Sequence, residues 1–259
     1  MNSKDLFCRE LPINSAELKI PRTTYQRELN EDRVRRIAAE FDERIANEPK
    51  VSSRDGRYYV FDGQHTIAAR KLLNGGRDLP IRCKVFYGLT ESDEALLFAQ
   101  QTGASASLTA GARFRALVYG GDEDAMAFLK ATEAVGLYVD YKQTRGAKRL
   151  ACISTAFGLF QKVGGGVYRE AMQAIVDAWK GDPDSLRAET VQGLVEFVDL
   201  YHGEYSRKRL VTRLRQVDPV VIFREGRAMT SLPGYKRYLY QVYRIYNGSS
   251  AKTALPMKF

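Results

Sequence analysis

The pattern of hydrophobic and polar positions changes near residue 105. Before that point, short runs of β-prone residues alternate with segments whose apolar residues recur every three or four positions. This alternation predicts strands interleaved with helices. The predicted strands are 10–13, 16–20, 50–53, 58–61 and 80–87, and the predicted helices begin near Asn30, Ile67 and Thr90.

Local signals support these elements. Asp55-Gly56 between two β-prone runs is a strong hairpin signal. Asn30 can cap a helix with two acids in its first turn, and apolar residues at helical spacing carry that helix to Ile45, before Pro49 ends it.

After residue 105 the strand signals fade and helical spacing dominates. The predicted helices are 108–119, 123–135, 147–162, 167–180, 184–201, 206–216 and 232–246, with glycine or proline breakers between most of them. We therefore predict an α+β fold. Residues 10–103 form its mixed head, and residues 104–259 form an all-helical domain.

Composition narrows the class of protein. Hydrophobic residues make up 44% and aromatic residues 11% of the 259, which supports a sizeable core and excludes general disorder. No apolar run approaches the ~20 residues of a membrane span. The first residues lack the apolar core of a signal peptide, so we expect a cytoplasmic protein with no membrane partner. Three dispersed cysteines and two histidines favour neither a disulfide framework nor a typical zinc site.

Charge points to an acidic partner. Forty Lys and Arg against 31 Asp and Glu leave a formal charge of +9, which favours nucleic acid. A predicted helix concentrates five cations that could contact DNA: Arg207, Lys208, Arg209, Arg213 and Arg215. A second cluster comprises Lys142, Arg145, Lys148 and Arg149, and a third interleaves tyrosines with cations over residues 235–246. A solvated charged face is the alternative for each cluster.

The sharpest chemical signal is the stretch Asp62-Gly63-Gln64-His65-Thr66, where a predicted strand gives way to a helix. Free N–H groups at a helix start suit phosphate, and Gly63 permits close approach of a ligand. His65 could bind a phosphate or act as an acid or base near neutral pH. Asp62 could orient His65, bind a metal or accept from a ribose hydroxyl. The residues alone equally allow a polar turn in which Asp62 caps the helix.

The segments Asp62–Thr66, Tyr25–Arg27, Asn30–Phe41 and Thr90–Gln101 occur in an order that resembles the N-terminal domain of the ParB/sulfiredoxin superfamily. One branch of it carries Asp-Gly-Gln-His-Arg in the turn, and the resemblance spans Leu11–Gln101, about a third of the chain. It implies an origin in a phage or another mobile element.

The resemblance also implies a nucleotide pocket for CTP, ATP or ADP, with or without Mg²⁺. Thr66 replaces the family's arginine, and Arg70, one helical turn later, could substitute for it. The segment Ala99–Gly103 has amides where partitioning proteins have acids, and amides are poor Mg²⁺ ligands. The residues that would contact the phosphates are Arg27, Gly63, Gln64, His65, Thr66 and Arg70.

Three functions remain open from the sequence. The first is a ParB-like nucleotide-binding protein that acts on or at DNA. The second is a phosphotransferase or nucleotide hydrolase of the ParB-like free-serine-kinase type, with Asp62 or His65 as the catalytic base. The third is a non-enzymatic module for protein interaction. A homodimer is one possible assembly.

Overall fold

The computed structural model describes residues 7–21, 23–100, 108–249 and 254–259. The chain divides into two compact units, Met1–Asp122 and Glu123–Phe259. The boundary predicted between residues 103 and 104 lies outside the described residues. The helix Ala110–Tyr119, which follows it, belongs to the first unit.

The first unit is built on a five-stranded mixed sheet in which all five predicted strands are present. The strands are β1 Cys8–Asn14, β2 Leu18–Lys19, β3 Lys50–Arg54, β4 Arg57–Asp62 and β5 Pro80–Tyr87. Their order across the sheet is β1-β5-β3-β4-β2. The pairs β1·β5 and β3·β4 are antiparallel, whereas β3·β5 and β2·β4 are parallel.

The predicted hairpin joins β3 to β4. Asp55 and Gly56 both have positive φ, at 52° and 68°. Two successive residues in this region match the right-handed twist of paired strands, which is why Asp-Gly is favoured there. The turn brings the end of β4 back beside the start of β3, where Lys50 pairs with Asp62.

Four helices complete the first unit: α1 Glu31–Ala39, α2 Gln64–Leu73, α3 Glu91–Ala99 and α4 Ala110–Tyr119. The Asn30 side chain accepts from an amide in the first turn of α1, and Thr90 begins α3 with a capping box. The prediction that α1 reaches Ile45 is wrong. The Asp42 side chain accepts from the Arg44 amide, which favours a local turn over continued helix, and Ile45 is 78% exposed.

Apolar side chains cover both faces of the sheet, because successive residues of a strand point to opposite sides. Val60 of β4 packs in one cluster with Ile67 of α2. The next residue, Phe61, packs in the other cluster with Tyr25 and with Phe98 of α3. Helix α2 therefore lies against one face and α3 against the other, and the turn between β4 and α2 lies at the strand end.

The second unit contains α5 Glu123–Glu133, β6 Tyr138–Val139, β7 Arg149–Leu150, α6 Ile153–Trp179, α7 Ala188–Leu200, α8 Arg207–Leu214, α9 Val220–Ala228 and α10 Lys236–Asn247. Tyr168, Tyr201 and Phe197 are among its largest fully buried side chains. In the described part of the chain, no helix is both long and apolar enough to span a bilayer.

Three features of the second unit differ from the prediction. The unit is not entirely helical, because β6 and β7 form a short parallel pair. The two helices predicted over 147–162 and 167–180 are one element, α6, with a break at Gly164. Helix α9 is absent from the prediction. Proline often ends a helix, but Pro219 stands at the start of this one, a position that proline also suits.

Candidate functional site

The turn between β4 and α2 is shaped by Gly63. Its φ of 95° lies in the left-handed region, and a Cβ added there would lie 2.9 Å from the Cα of Pro49. Gly63 is therefore required by the backbone path and by packing against Pro49, whether or not a ligand approaches.

The N-terminus of α2 has no internal compensation for its partial positive charge. No side chain caps it, and its first turn contains no acid. Asp62, the candidate cap, instead accepts from the Nζ of Lys50 at 3.2 Å. The uncapped amides and the helix dipole consequently favour an anion at this end of α2.

The Tyr25–Arg27 segment is tied to this turn by buried amide side chains. The Nε2 of Gln26 donates to the carbonyl of Val60 at 3.1 Å, and the Nε2 of Gln64 donates to the carbonyl of Arg27 at 3.0 Å. Gln64 is only 4% exposed, and its Oε1 has no partner among the described residues. The buried Nε of Arg27 likewise has none. Unpaired buried polar atoms are costly, so a bound polar group would stabilise this arrangement.

Two guanidinium groups face the same cleft. Burial lowers the pKa of Arg27, repulsion from Arg33 lowers it further, and Asp62 partly offsets both effects. Arg33 is not among the residues predicted from the sequence, although a signal for it was present. Arg33 precedes Ile37 by four residues on α1, so both lie on one helix face, and both line the cleft.

His65 is 5% exposed, and its Nε2 accepts from the backbone N–H of Asn30 at 3.2 Å. Burial lowers its pKa to about 4, with further contributions from Arg33 and Arg27. This lowered pKa argues against an acid or base near neutral pH, and the catalytic role of His65 stays a prediction. At pH 7 the imidazole is neutral, and its proton is on Nδ1.

The cleft encloses about 40 Å³, enough for a few water-sized groups and not for a whole nucleotide. Its lining comprises Gln26, Arg27, Arg33, Ile37, Asp62, Gly63, Gln64, His65, Thr66 and Phe98. A larger, mostly apolar cavity of about 610 Å³ includes Leu18, Val34 and Ile67 in its lining. Gln64 lines both spaces, so the cavity adjoins the cleft.

Of the predicted phosphate-binding residues, Arg70 alone is absent from the cleft lining. Its Nη1 pairs with Glu43 at 2.7 Å, and its guanidinium lies 5.2 Å from the centre of the Phe41 ring. Arg70 thus points toward the segment after α1. Arg33 supplies the second cation that Arg70 was expected to supply.

The model of a protein family of unknown function, DUF6551, matches residues 20–259. This chain belongs to the DUF6551 family. A search of curated proteins found no match. The DUF6551 match covers the whole second unit and residues 20–122 of the first, and it contains Arg27, Arg33 and the turn from Asp62 to Thr66.

In this DUF6551 chain, the described residues hold no group of three or more His, Cys, Asp or Glu side chains suited to a metal ion. In the amide-containing segment Ala99–Gly103, the described residues end at Gln100, so Gln101 lies outside them.

The cations predicted to contact DNA lie on or beside α8, and the fold uses three of them. Arg207 pairs with Asp177, and Arg215 donates to the carbonyl of Asp177 at 3.0 and 3.1 Å. Arg209 donates to the carbonyls of Tyr246 and Asn247 at the end of α10. Lys208 is exposed and Arg213 is half-buried. Contact of this helix with DNA stays a prediction.

Proposed function

We propose that this protein binds the phosphate groups of a nucleotide in the cleft at the start of α2. The observation that carries the proposal is the convergence of Arg27 and Arg33 on one small polar space, although their mutual repulsion lowers the pKa of Arg27. An anion there would relieve that repulsion, and guanidinium groups suit phosphate oxygens. The resemblance to ParB-like proteins at the same turn supports the same ligand.

The remainder of the nucleotide would occupy the adjoining cavity of about 610 Å³. That volume is typical of small-molecule sites, and its apolar lining suits a base. The unpaired Oε1 of Gln64 could accept from the amino group of a base. The resemblance to ParB-like proteins makes CTP, ATP and ADP the proposed ligands. Mg²⁺, where it takes part, would be held mainly by the phosphates, as is usual for this ion.

The geometry favours binding over catalysis. His65, with a pKa of about 4, is a weak proton acceptor at pH 7, and its Nε2 is already occupied by the Asn30 amide. Its Nδ1–H remains a suitable donor to a phosphate oxygen. Asp62, the other candidate base, is paired with Lys50. The phosphotransferase or hydrolase alternative is therefore less favoured by this site.

We further propose that the protein acts on or at DNA. The formal charge of +9 supports a polyanionic partner, as does the resemblance to a superfamily that includes chromosome-partitioning proteins. The protein would then contact DNA while a nucleotide is bound in its first unit.

The test is thermal unfolding with CTP, ATP, ADP and GTP, each with and without Mg²⁺. A ligand at 100 times its Kd stabilises the folded state by about 2.7 kcal/mol, which is visible as a rise in Tm. We expect a rise with CTP or with the adenine nucleotides, and at least about a tenfold weaker affinity for Arg33→Gln, because a charge-assisted hydrogen bond contributes about 1.5–3 kcal/mol.

Arg36→Gln is the matched control, because Arg36 is an exposed arginine on the same helix and does not line the cleft. It should bind as the unmodified protein does. If no nucleotide raises Tm, the nucleotide proposal fails and the protein-interaction module becomes the better reading. If both arginine variants weaken binding equally, the site is not this cleft.

A further inference from the structure

The segment joining β6 to β7 carries the second cationic cluster found in the sequence. We call residues 140–149 the basic loop. Lys142, Arg145, Lys148 and Arg149 are all exposed there. The loop is bracketed by Tyr138, which is 64% exposed, and by the buried Leu150.

The backbone of the basic loop is strained. Gln143, Arg145 and Lys148 have φ between 55° and 60°, a region that non-glycine residues seldom adopt. Among the described residues only Asp55, in the hairpin turn, and Lys180 share this feature. Lys180 precedes Gly181, whose carbonyl accepts from the Lys148 amide at 2.7 Å. Such strain persists only where the surroundings determine the conformation, and it concentrates at functional segments.

Asp140 determines the conformation of the basic loop. Its carboxylate accepts from the amides of Lys142 and Thr144, at 3.2 and 2.8 Å, and from the Thr144 hydroxyl at 2.9 Å. Burial acts to raise the Asp140 pKa, but these bonds hold it below its ordinary value. The loop backbone is therefore held in one conformation, which leaves little backbone entropy to lose on binding.

The cations of the basic loop differ in their internal counter-charges, and Arg149 is attracted to Asp140 of the same loop. In the described parts of the chain, no carboxylate lies within ion-pair distance of Lys142, Lys148 or the nearby Lys180; Arg145 pairs with Asp184 at 2.9 Å. Helix α8 differs, because three of its cations are used in contacts within the fold. The carbonyl contacts of Arg209 and Arg215 leave their charges in place. The loop is distinguished instead by exposed cations on a backbone of fixed conformation.

We infer that the basic loop is the surface that contacts the phosphate backbone of duplex DNA. This inference rests on the DNA part of the proposed function and moves the contact from α8 to the loop. Exposed cations on a backbone of fixed conformation suit an ordered phosphate array. A membrane surface is a poorer fit, because between Asp140 and Arg149 no exposed side chain is a large hydrophobic one that could insert.

The test compares two variants, each of which lowers the formal charge by three. The loop variant combines Lys142→Gln, Lys148→Asn and Arg149→Gln; asparagine is chosen because it tolerates positive φ. The matched helix variant combines Lys208→Gln, Arg213→Gln and Arg215→Gln. Binding to a fluorescent duplex is measured by anisotropy from 50 to 200 mM salt, and circular dichroism establishes that both variants are folded.

The loop variant should bind DNA at least about tenfold more weakly, and its slope of log K against log salt should fall by about 2.7, because each lost phosphate contact removes about 0.9. The helix variant should keep the affinity within about threefold. Equal losses in both variants, or a loss in the helix variant alone, would overturn the inference while leaving DNA binding intact.

Two further outcomes count against the inference. If the unmodified protein binds no duplex at 50 mM salt, this inference and the DNA part of the proposed function fail together, whereas nucleotide-induced stabilisation stays separately measurable. If the loop variant loses binding to vesicles of phosphatidylcholine and phosphatidylserine but keeps its affinity for DNA, the loop is a membrane contact instead.

Discussion

Single residues at the candidate site have their chemistry altered by their surroundings. His65 is the clearest case. Burial and the charges of Arg33 and Arg27 lower its pKa from 6.5 to about 4, and its Nε2 is committed to the Asn30 amide. The protonated form is therefore disfavoured in the folded protein, and this has a consequence for stability.

Stability should depend on pH through His65. Between pH 6.5 and pH 4 the unfolded chain binds a proton at this residue that the folded protein does not. The contribution of neutral His65 to the free energy of unfolding is therefore complete above pH 6.5 and is lost as the pH falls toward 4. Urea unfolding at pH 7 and pH 5 should show a loss of about 2 kcal/mol in the unmodified protein, at 1.36 kcal/mol per pKa unit. His65→Gln should lack that part of the loss. Parallel pH dependences in the two proteins would contradict the pKa of His65.

The packing role of Gly63 can be tested by comparison with Gly75, which also has a positive φ but has room for a Cβ. We expect Gly63→Ala to lower the free energy of unfolding by about 3 kcal/mol, since its Cβ meets Pro49 and its φ is positive. Gly75→Ala is the control: Gly75 has φ of 68° and nothing within 4 Å of an added Cβ, so the expected cost is about 1–2 kcal/mol. Equal costs, measured by urea unfolding, would show that the Pro49 contact relaxes freely.

At the scale of elements, a buried polar link connects the segment before α1 to β3 and α3. Glu94 of α3 is fully buried, and its carboxylate accepts from the Tyr25 hydroxyl and the Arg54 Nε, both at 2.8 Å. Tyr25 lies two residues before Arg27. The link therefore helps to hold Arg27 beside the cleft.

Tyr25→Phe should lower the free energy of unfolding by about 2 kcal/mol, because it removes a hydrogen bond to a buried charged group. Tyr58→Phe, at a half-buried tyrosine of β4, should change it by less than about 0.5 kcal/mol. Urea unfolding of both variants at pH 7.5 makes the comparison. A cost for Tyr25→Phe no greater than for Tyr58→Phe would mean that the Glu94 link adds nothing to stability.

For the whole molecule, the candidate chemistry is divided between the two units. The candidate cleft and its adjoining cavity are formed by residues of the first unit, and the basic loop and α8 belong to the second. The DUF6551 match extends across both. We therefore expect a nucleotide to act locally on the first unit.

Hydrogen exchange measured by mass spectrometry checks this expectation. With saturating CTP or ATP, the amides of α1 and of the first turn of α2 should exchange more slowly, because the ligand raises the free energy of local opening. Peptides from 123–249 should keep their rates. Protection confined to that second region would place the nucleotide site elsewhere.

Local chemistry in the sequence was sufficient to predict many elements. Asp55-Gly56 predicted the hairpin, Asn30 and Thr90 predicted two helix starts, and alternating residues predicted all five strands of the first unit. These signals act within a few residues, so they can be recognised without the rest of the fold. The break at Gly164 and the start of α9 at Pro219 were harder, because glycine and proline can interrupt, begin or end a helix.

The candidate site was only partly determined by the sequence. The turn Asp62–Thr66 and Arg27 could be selected as polar groups near a helix start, but the choice between Arg70 and Arg33 depended on how α1 packs beside α2. The His65 pKa likewise depends on burial and on cations 32 and 38 residues away in the chain. Local pattern thus determined the elements and the turn. Only tertiary structure, which sets distances and solvent exposure, decided which charges meet and which side chains remain neutral.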